Sequence, residues 1–211
     1  MGIQIHEPPM PYRMRQHDDK AVPIVINEFR RYGFEAYQLG TESDSEELRK
    51  ALMQQSDKTS LMLRFRPDTT FIRAGTRSIL CEIKSEAGRY PNFAIEVDSY
   101  SAALQWNMLY KHVMYAFVDL GNMHIYCCWA DDVPSPQVIR IPKRWDYSEN
   151  MRRLETEWPN IRMITEDFQP APEKSGTPYF LLPKRSSVLQ PFDVFVSQIL
   201  AGNVTQLELI P

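Results

Sequence analysis

Two short charged groups in the first half of the chain combine residue types that can do chemistry. Asp68 follows Pro67 and precedes Glu82 by 14 positions, and Ile83 and Lys84 come directly after Glu82. Two carboxylates held close together repel each other unless a cation lies between them. Their oxygens, with the carbonyl of Ile83 as a further ligand, favour a hard ion such as Mg²⁺, with Mn²⁺ as a substitute. With Lys84 beside that ion to polarise a water or neutralise a phosphate, these residues predict metal-assisted hydrolysis of a phosphodiester.

A β-hairpin is the element that must bring the two groups together. Strand-like residues 69–72 and 78–84 flank a turn that contains Gly75. If Gly75 lies at the centre of the turn, Asp68 pairs directly with Glu82, on the same face and with Cβ atoms about 5 Å apart. A shift of one residue would send Asp68 to the other side of the sheet, so the register is part of the prediction.

The second strand of this hairpin is apolar on both faces until its last residues, which indicates a central, buried strand. One face carries Ile79, Cys81 and Ile83, and the other carries Leu80, Glu82 and Lys84. An alternative interpretation is a solvated ion-pair cluster at a sheet edge, since an acid two positions before a lysine is a common pattern. Asp18 and Lys20 match that pattern too, but they do not end a strand that is apolar on both faces.

The other elements complete an α/β fold with a mixed central sheet flanked by helices. Helices are predicted from Asp18 or Asp19 to Gly33, from Ser43 to Gln55, from Asn92 or Asp98 to Tyr110, at 148–157 and at 187–200. Strands are predicted at 34–39, 61–66, 113–118, 123–129 and 138–141, with a loop or strand at 176–183. We divide the chain into an N-terminal arm (1–17), a core (18–130) and a C-terminal extension packed on the core (131–211).

Composition excludes several classes of protein. The chain has 211 residues, a formal net charge of -3 and three cysteines without a C-x-x-C pair, so neither a disulfide framework nor a zinc site is indicated. The apolar runs fall short of the ~20 residues that span a membrane, and we expect a cytoplasmic protein without a membrane partner. Because the chain lacks a basic excess, evidence for nucleic-acid binding must come from a site.

The order of these elements and motifs resembles the PD-(D/E)XK nuclease superfamily, which has the restriction endonuclease-like fold. The resemblance covers about residues 19–120 and implies that Asp68 and Glu82 are metal ligands and that Lys84 is the catalytic lysine. It also implies an acidic residue on the helix before the hairpin, which Glu28 matches by position. The alternative for Glu28 is a solvent-facing charge paired with Arg31 or Tyr32.

The same resemblance implies a Mg²⁺-dependent DNA endonuclease. Branched or duplex DNA is the expected substrate, including recombination DNA such as a Holliday junction. The small size is like that of junction resolvases, which work as dimers, so a homodimer is the expected assembly. On the helix after the hairpin, Glu96 and Gln105 are further candidates. The Gln-x-x-x-Tyr spacing of the exonuclease branch is not met, since residue 109 is leucine.

Four arginines around the hairpin are candidates to hold the phosphates on either side of the scissile one. They are Arg64, Arg66, Arg73 and Arg77. Two other functions remain open at this point. One is a catalytically inactive nuclease fold that serves as a DNA-binding or assembly module, and the other is an unrelated metal-dependent hydrolase of small phosphates.

Overall fold

The computed structural model describes residues 20–40, 44–54, 57–87, 90–142, 154–166 and 177–202. Its helices are α1 (Val22–Arg31), α2 (Glu46–Met53), α3 (Lys58–Arg64), α4 (Val97–Tyr110) and α5 (Phe192–Gly202), with a 3-10 turn at Ala130–Asp132. Its strands are β1 (Glu35–Gln38), β2 (Thr69–Ile72), β3 (Ile79–Glu86), β4 (Asn92–Glu96), β5 (Val113–Asp119), β6 (His124–Trp129), β7 (Val138–Pro142), β8 (Arg162–Glu166), β9 (Tyr179–Pro183) and β10 (Gln190–Pro191).

The main sheet has six strands in the order β1-β2-β3-β5-β6-β10. Strands β3 and β5 are parallel, and the other neighbours in this sheet are antiparallel. Parallel neighbours need a crossover connection, and α4 lies in the segment that joins β3 to β5. The α/β fold with a mixed central sheet flanked by helices is therefore confirmed.

The hairpin of β2 and β3 has the register that the sequence predicts. Thr69 pairs with Cys81, Thr70 with Leu80 and Phe71 with Ile79. The turn is closed by a hydrogen bond of 3.0 Å from the amide of Thr76 to the carbonyl of Arg73. Gly75 has a φ of +74°, a conformation that glycine adopts without the steric cost of a side chain. Continued by one pair, this register sets Asp68 opposite Glu82.

Helices α1 and α5 cover one face of the main sheet. The ring of Phe29 in α1 stacks on Phe71 of β2 with 3.8 Å between centroids. Phe195 and Val196 of α5 belong to the same buried cluster, which also contains Ile83 of β3. This face is the apolar one of the hairpin, so the charged residues of β3 point to the other side.

That other face is covered by α4 and by a second sheet, whose strand order is β4-β9-β7-β8. Phe93 of β4 stacks on Phe117 of β5 at 4.9 Å, and Tyr100 of α4 contacts Phe180 of β9. The second sheet combines β4, which lies in the expected core, with three strands of the expected extension. Glu82 and Lys84 therefore lie between two sheets.

The structure corrects three predicted elements. Residues 61–66 are not a strand, since 58–64 form α3, whose N-cap Asp57 accepts a hydrogen bond from the amide of Ser60 at 3.0 Å. Asn92 does not cap a helix but begins β4, and α4 starts at Val97. The last helix begins at Phe192, because the residues before it pair with β6 as β10.

The prediction of the second helix is confirmed with a different cap. The side chain of Ser45 accepts a hydrogen bond from the amide of Leu48, whereas Ser43 lies outside the described residues. The expected arm (1–17) and most of the helix expected at 148–157 also lie outside them. Among the helices of the described ranges, none combines the length and the hydropathy needed to cross a bilayer.

Candidate active site

Asp68 is fixed at the entrance to β2 by both its backbone and its side chain. Its carbonyl accepts hydrogen bonds from the amides of Leu39 at 2.7 Å and Gly40 at 3.0 Å. Its Oδ2 accepts a hydrogen bond of 2.6 Å from the amide of Ile83 across the hairpin. A carboxylate bound by a backbone amide keeps one orientation, and here that orientation faces the strand that carries Glu82.

Glu82 is a buried carboxylate, with 7% of its surface exposed. Its Oε1 accepts a hydrogen bond of 2.7 Å from the hydroxyl of Ser99 in the first turns of α4. The same oxygen lies 2.8 Å from Nζ of Lys84. A buried charge is tolerated only with partners of this kind, and Ser99 and Lys84 are the partners of Glu82 inside the protein.

Lys84 lies between carboxylates from two sheets. Besides its contact with Glu82, its Nζ is 3.6 Å from Oε2 of Glu96 at the end of β4. Burial alone would lower the pKa of Lys84, but the negative charges of Glu82, Glu96 and Asp68 outweigh burial and raise it above the ordinary 10.5. The group is therefore an ammonium that can donate hydrogen bonds and stabilise negative charge.

Glu96 connects this group to the chain that leads into β9. The hydroxyl of Thr177 donates a hydrogen bond of 3.3 Å to Oε1 of Glu96, and Glu96 pairs with Tyr179 between β4 and β9. The sequence marked Glu96 as a candidate but gave no sign of Ser99 or Thr177. No local pattern distinguishes Ser99 from the other serine of α4, because its contact with Glu82 depends on how α4 packs on β3.

The donor set fits a hard cation. Asp68, Glu82 and the Ile83 carbonyl offer oxygen ligands, and Mg²⁺ in proteins is commonly held by one or two carboxylates together with waters and substrate phosphates. Across the described ranges, no group of three or more His, Cys, Asp or Glu side chains is arranged to hold a metal ion. A metal ion bound at this position would therefore have two carboxylate ligands, and water or substrate oxygens would complete its coordination.

Glu28 is not brought to this group. It lies on α1, and both of its carboxylate oxygens accept hydrogen bonds of 3.0 Å from Arg31 one turn later. Since α1 packs on the opposite face of the main sheet, the contact is the surface ion pair that the sequence offered as an alternative. Gln105 also lies elsewhere, in a cavity of about 500 Å³ between α3 and α4.

The four candidate arginines do not converge. Arg66 is committed to internal contacts, with the carbonyls of Leu39 and Gly40 and with Asp44, whose Oδ1 lies 2.5 Å away. The guanidinium of Arg64 lies 5.0 Å from the ring of Phe65.

The other two arginines lie near the turn of the hairpin. The guanidinium of Arg73 is 5.9 Å from the ring of Phe34. Arg77 is exposed, with its NH1 2.8 Å from Nε2 of His112. It stands before β3, whereas Lys84 is near the other end of that strand. Arg77 is thus accessible to a ligand, and Arg66 is not.

A second, partly buried lysine lies beyond Lys84 on the same face of the sheet. Nζ of Lys184 is 2.7 Å from Oε2 of Glu86 at the end of β3 and 2.7 Å from Oδ2 of Asp119 at the end of β5. Asn122 also donates to Oδ2 of Asp119, at 3.0 Å. This Lys184 cluster ties the main sheet to the turn after β9, and no sequence motif marks it.

Comparisons with known protein families, curated proteins and solved structures can now be set beside this geometry. No protein-family model matches the chain, and no curated protein matches it. Among solved structures, the chain is similar to a nuclease from a fusselovirus, with a TM-score of 0.41 and 16% sequence identity. The alignment covers 94% of this chain and 98% of the viral one.

Proposed function

We propose that this chain is a metal-dependent nuclease that hydrolyses phosphodiester bonds in DNA. One observation carries the proposal: the hairpin register sets Asp68 against the amide of Ile83 at 2.6 Å, beside Glu82 and Lys84. The pairing of β2 with β3 therefore brings the carboxylates of Asp68 and Glu82 and the amine of Lys84 to the same face of the sheet. These are the groups that the sequence pattern requires, in the order of the PD-(D/E)XK nucleases that it resembles.

Asp68, Glu82 and the carbonyl of Ile83 would hold Mg²⁺ or Mn²⁺. Bound there, the ion would supply an activated water and offset negative charge on the phosphate. The protein contributes rigidity, since Asp68 is fixed by the Ile83 amide and Glu82 by Ser99. Preorganised ligands of this kind cost little reorganisation at the moment of reaction.

Lys84 would stabilise the charge that develops on the phosphate. An ammonium is a donor without an acceptor site, so its role is to bind an anionic oxygen, not to remove a proton. Its partners Glu82 and Glu96 keep it at the site before substrate arrives. When a phosphodiester enters, the ammonium exchanges a carboxylate contact for a phosphate oxygen.

The finer part of the proposal is an endonuclease for branched DNA, such as a Holliday junction, working as a homodimer. The resemblance to junction resolvases in size and element order supports it. The exposed Arg77 supports it as well, because it stands before β3 and offers a phosphate contact far from Lys84, which is near the other end of that strand.

A catalytically inactive DNA-binding module is the second candidate, and one observation favours it. Lys84 already neutralises Glu82 at 2.8 Å, so the carboxylates are satisfied without an ion. In such a module Asp68, Glu82 and Lys84 would form a structural ion-pair group only.

A metal titration coupled to a cleavage assay separates the two candidates. We expect saturable Mn²⁺ binding by the wild-type protein, followed by electron paramagnetic resonance, and loss of both binding and cleavage in Asp68→Ala. Asp131→Ala, which removes an exposed carboxylate from the 3-10 turn, is the matched control and should keep both.

The substrates are labelled four-way junction, duplex and single-stranded DNA of matched sequence, with Mg²⁺. Preferential cleavage of the junction supports the finer proposal. DNA binding without Mn²⁺ binding or cleavage would establish the module instead.

A further inference from the structure

Ser99 contacts Glu82 in the candidate active site, although no sequence motif marks this serine. It is 1% exposed and lies near the start of α4. Its hydroxyl donates the 2.7 Å hydrogen bond to Oε1 of Glu82. We propose that Ser99 is a positioning residue that selects which oxygen of Glu82 meets the metal, an inference that rests on the proposed nuclease function.

The contacts of Glu82 are divided unequally between its two oxygens. Within the described part of the chain, its hydrogen bond with Ser99 and its ion pair with Lys84 both involve Oε1. The terminal torsion of a glutamate is broad and roughly two-fold, so a donor is needed to hold the carboxylate in one rotation. With Oε1 bound in this way, Oε2 is the oxygen presented to an ion.

Ser99 and Lys84 differ in what happens when substrate binds. Lys84 is a flexible side chain that must turn toward the phosphate, and doing so weakens its hold on Glu82. The Ser99 side chain is short and is anchored on a helix whose neighbours Val97 and Tyr100 are buried in the second core cluster. Ser99 is therefore the donor that keeps Glu82 oriented throughout the reaction.

The helix that carries Ser99 is itself fixed by the second sheet. The amide of Val97 donates a hydrogen bond of 3.0 Å to the carbonyl of Pro178, and Glu96 pairs with Tyr179. The start of α4 is thus bound to the strand β9 and cannot shift relative to it without breaking these bonds. Through Ser99, the second sheet sets the orientation of a residue on the main sheet.

The test compares Ser99→Ala with Ser101→Ala in the full-length protein. Ser101 is the next serine of α4 and lines the cavity on the side away from Glu82. Loss of a residue that orients a metal ligand weakens metal affinity about 10-fold or more, so Ser99→Ala should raise the Kd for Mn²⁺ by about that factor. Ser101→Ala should stay within about two-fold of the wild type, as expected for a substitution away from the ligands.

Two further variants keep the result interpretable. Ser99→Thr retains the hydroxyl and should restore most of the Mn²⁺ affinity. If Ser99→Ala does not fold by circular dichroism, Ser99→Cys replaces it, because a thiol of similar size is a weak donor. Unchanged Mn²⁺ affinity in Ser99→Ala, with affinity lost in Asp68→Ala, overturns the role of Ser99 and leaves the nuclease proposal standing. A wild-type protein that binds no Mn²⁺ overturns both.

Discussion

The backbone amide of Ile83 donates a hydrogen bond of 2.6 Å to the carboxylate of Asp68 from the opposite strand of the hairpin. This bond is made by the residue that follows Glu82, so it ties one proposed ligand to the backbone next to the other. A hairpin that slipped by one residue would lose the bond and would turn Asp68 to the other face. The register of the hairpin therefore decides whether the two proposed ligands share one face of the sheet.

Replacing Lys84 with methionine should abolish cleavage without weakening metal binding. Lys84→Met removes the ammonium that would stabilise the phosphate, for which we expect a loss of about 100-fold or more in rate. It also leaves Glu82 and Glu96 without their cation, so Mn²⁺ should bind at least as tightly as to the wild type. Single-turnover cleavage and Mn²⁺ titration measure the two effects.

Lys184→Met is the matched control for that experiment, because Lys184 also bridges two carboxylates. Removing one partner of a buried ion pair costs up to about 3 kcal/mol when the remaining charge is partly exposed, so Lys184→Met should lower the free energy of unfolding. Its folded fraction should nevertheless cleave DNA. Equal losses of cleavage in the two variants would mean that Lys84 acts through stability alone.

The role of Glu28 stays a prediction, and Glu28→Gln tests it. The side chain is 32% exposed and is paired with Arg31 on the face away from Glu82. An ion pair of this type contributes at most about 1 kcal/mol, so we expect cleavage within about two-fold of the wild type. A 100-fold slower reaction with unchanged stability would instead place Glu28 in the catalytic centre.

Arg77 and Arg66 should respond in opposite ways to truncation. Arg77 is exposed, and if it contacts a phosphate, Arg77→Ala should weaken DNA binding and reduce the salt dependence of log K by about one unit. Arg66→Ala should lower stability, because Asp44 and two carbonyls lose their donor. Salt-dependent fluorescence anisotropy and urea unfolding distinguish these results. An unchanged salt dependence in Arg77→Ala would exclude the phosphate contact.

Acid should destabilise the protein through Asp119. Burial alone would raise the pKa of Asp119, but the hydrogen bonds from Lys184 and Asn122 lower it below the ordinary 3.8. Since the unfolded chain then takes up the proton first, this contribution is present above the ordinary value and is lost as the pH falls through the folded value. Urea unfolding at decreasing pH should show the loss, and Asp119→Asn should show a smaller one.

The sequence predicts the hairpin and its register, but it does not predict the second sheet that covers the hairpin. Gly75 and the alternation of Ile79, Cys81 and Ile83 are local signals, and they predicted the register correctly. The strand β4, whose first residue Asn92 is one of the two predicted helix caps, cannot be recognised locally because its pairing with β9 spans more than 80 residues. The contacts of Ser99 and Thr177 depend on that pairing and could not be predicted for the same reason.

The apolar run that opens the segment 61–66 shows a second limit of local patterns. The run consists of three consecutive apolar residues, Leu61, Met62 and Leu63, so it has no periodicity that distinguishes a strand from a helix. The N-cap at Asp57 decides for the helix, and it lies outside the run that suggested a strand. A capping residue upstream would have been the better signal.

The contacts between Glu96 and Thr177 and between Glu86 and Lys184 join positions 81 and 98 residues apart. During synthesis on the ribosome, the hairpin emerges long before the segment that closes over it. Until residues 177–184 leave the exit tunnel, Glu96 and Glu86 lack these two partners. The charged side chains between the two sheets therefore gain their final partners only when β9 and the turn after it have been translated.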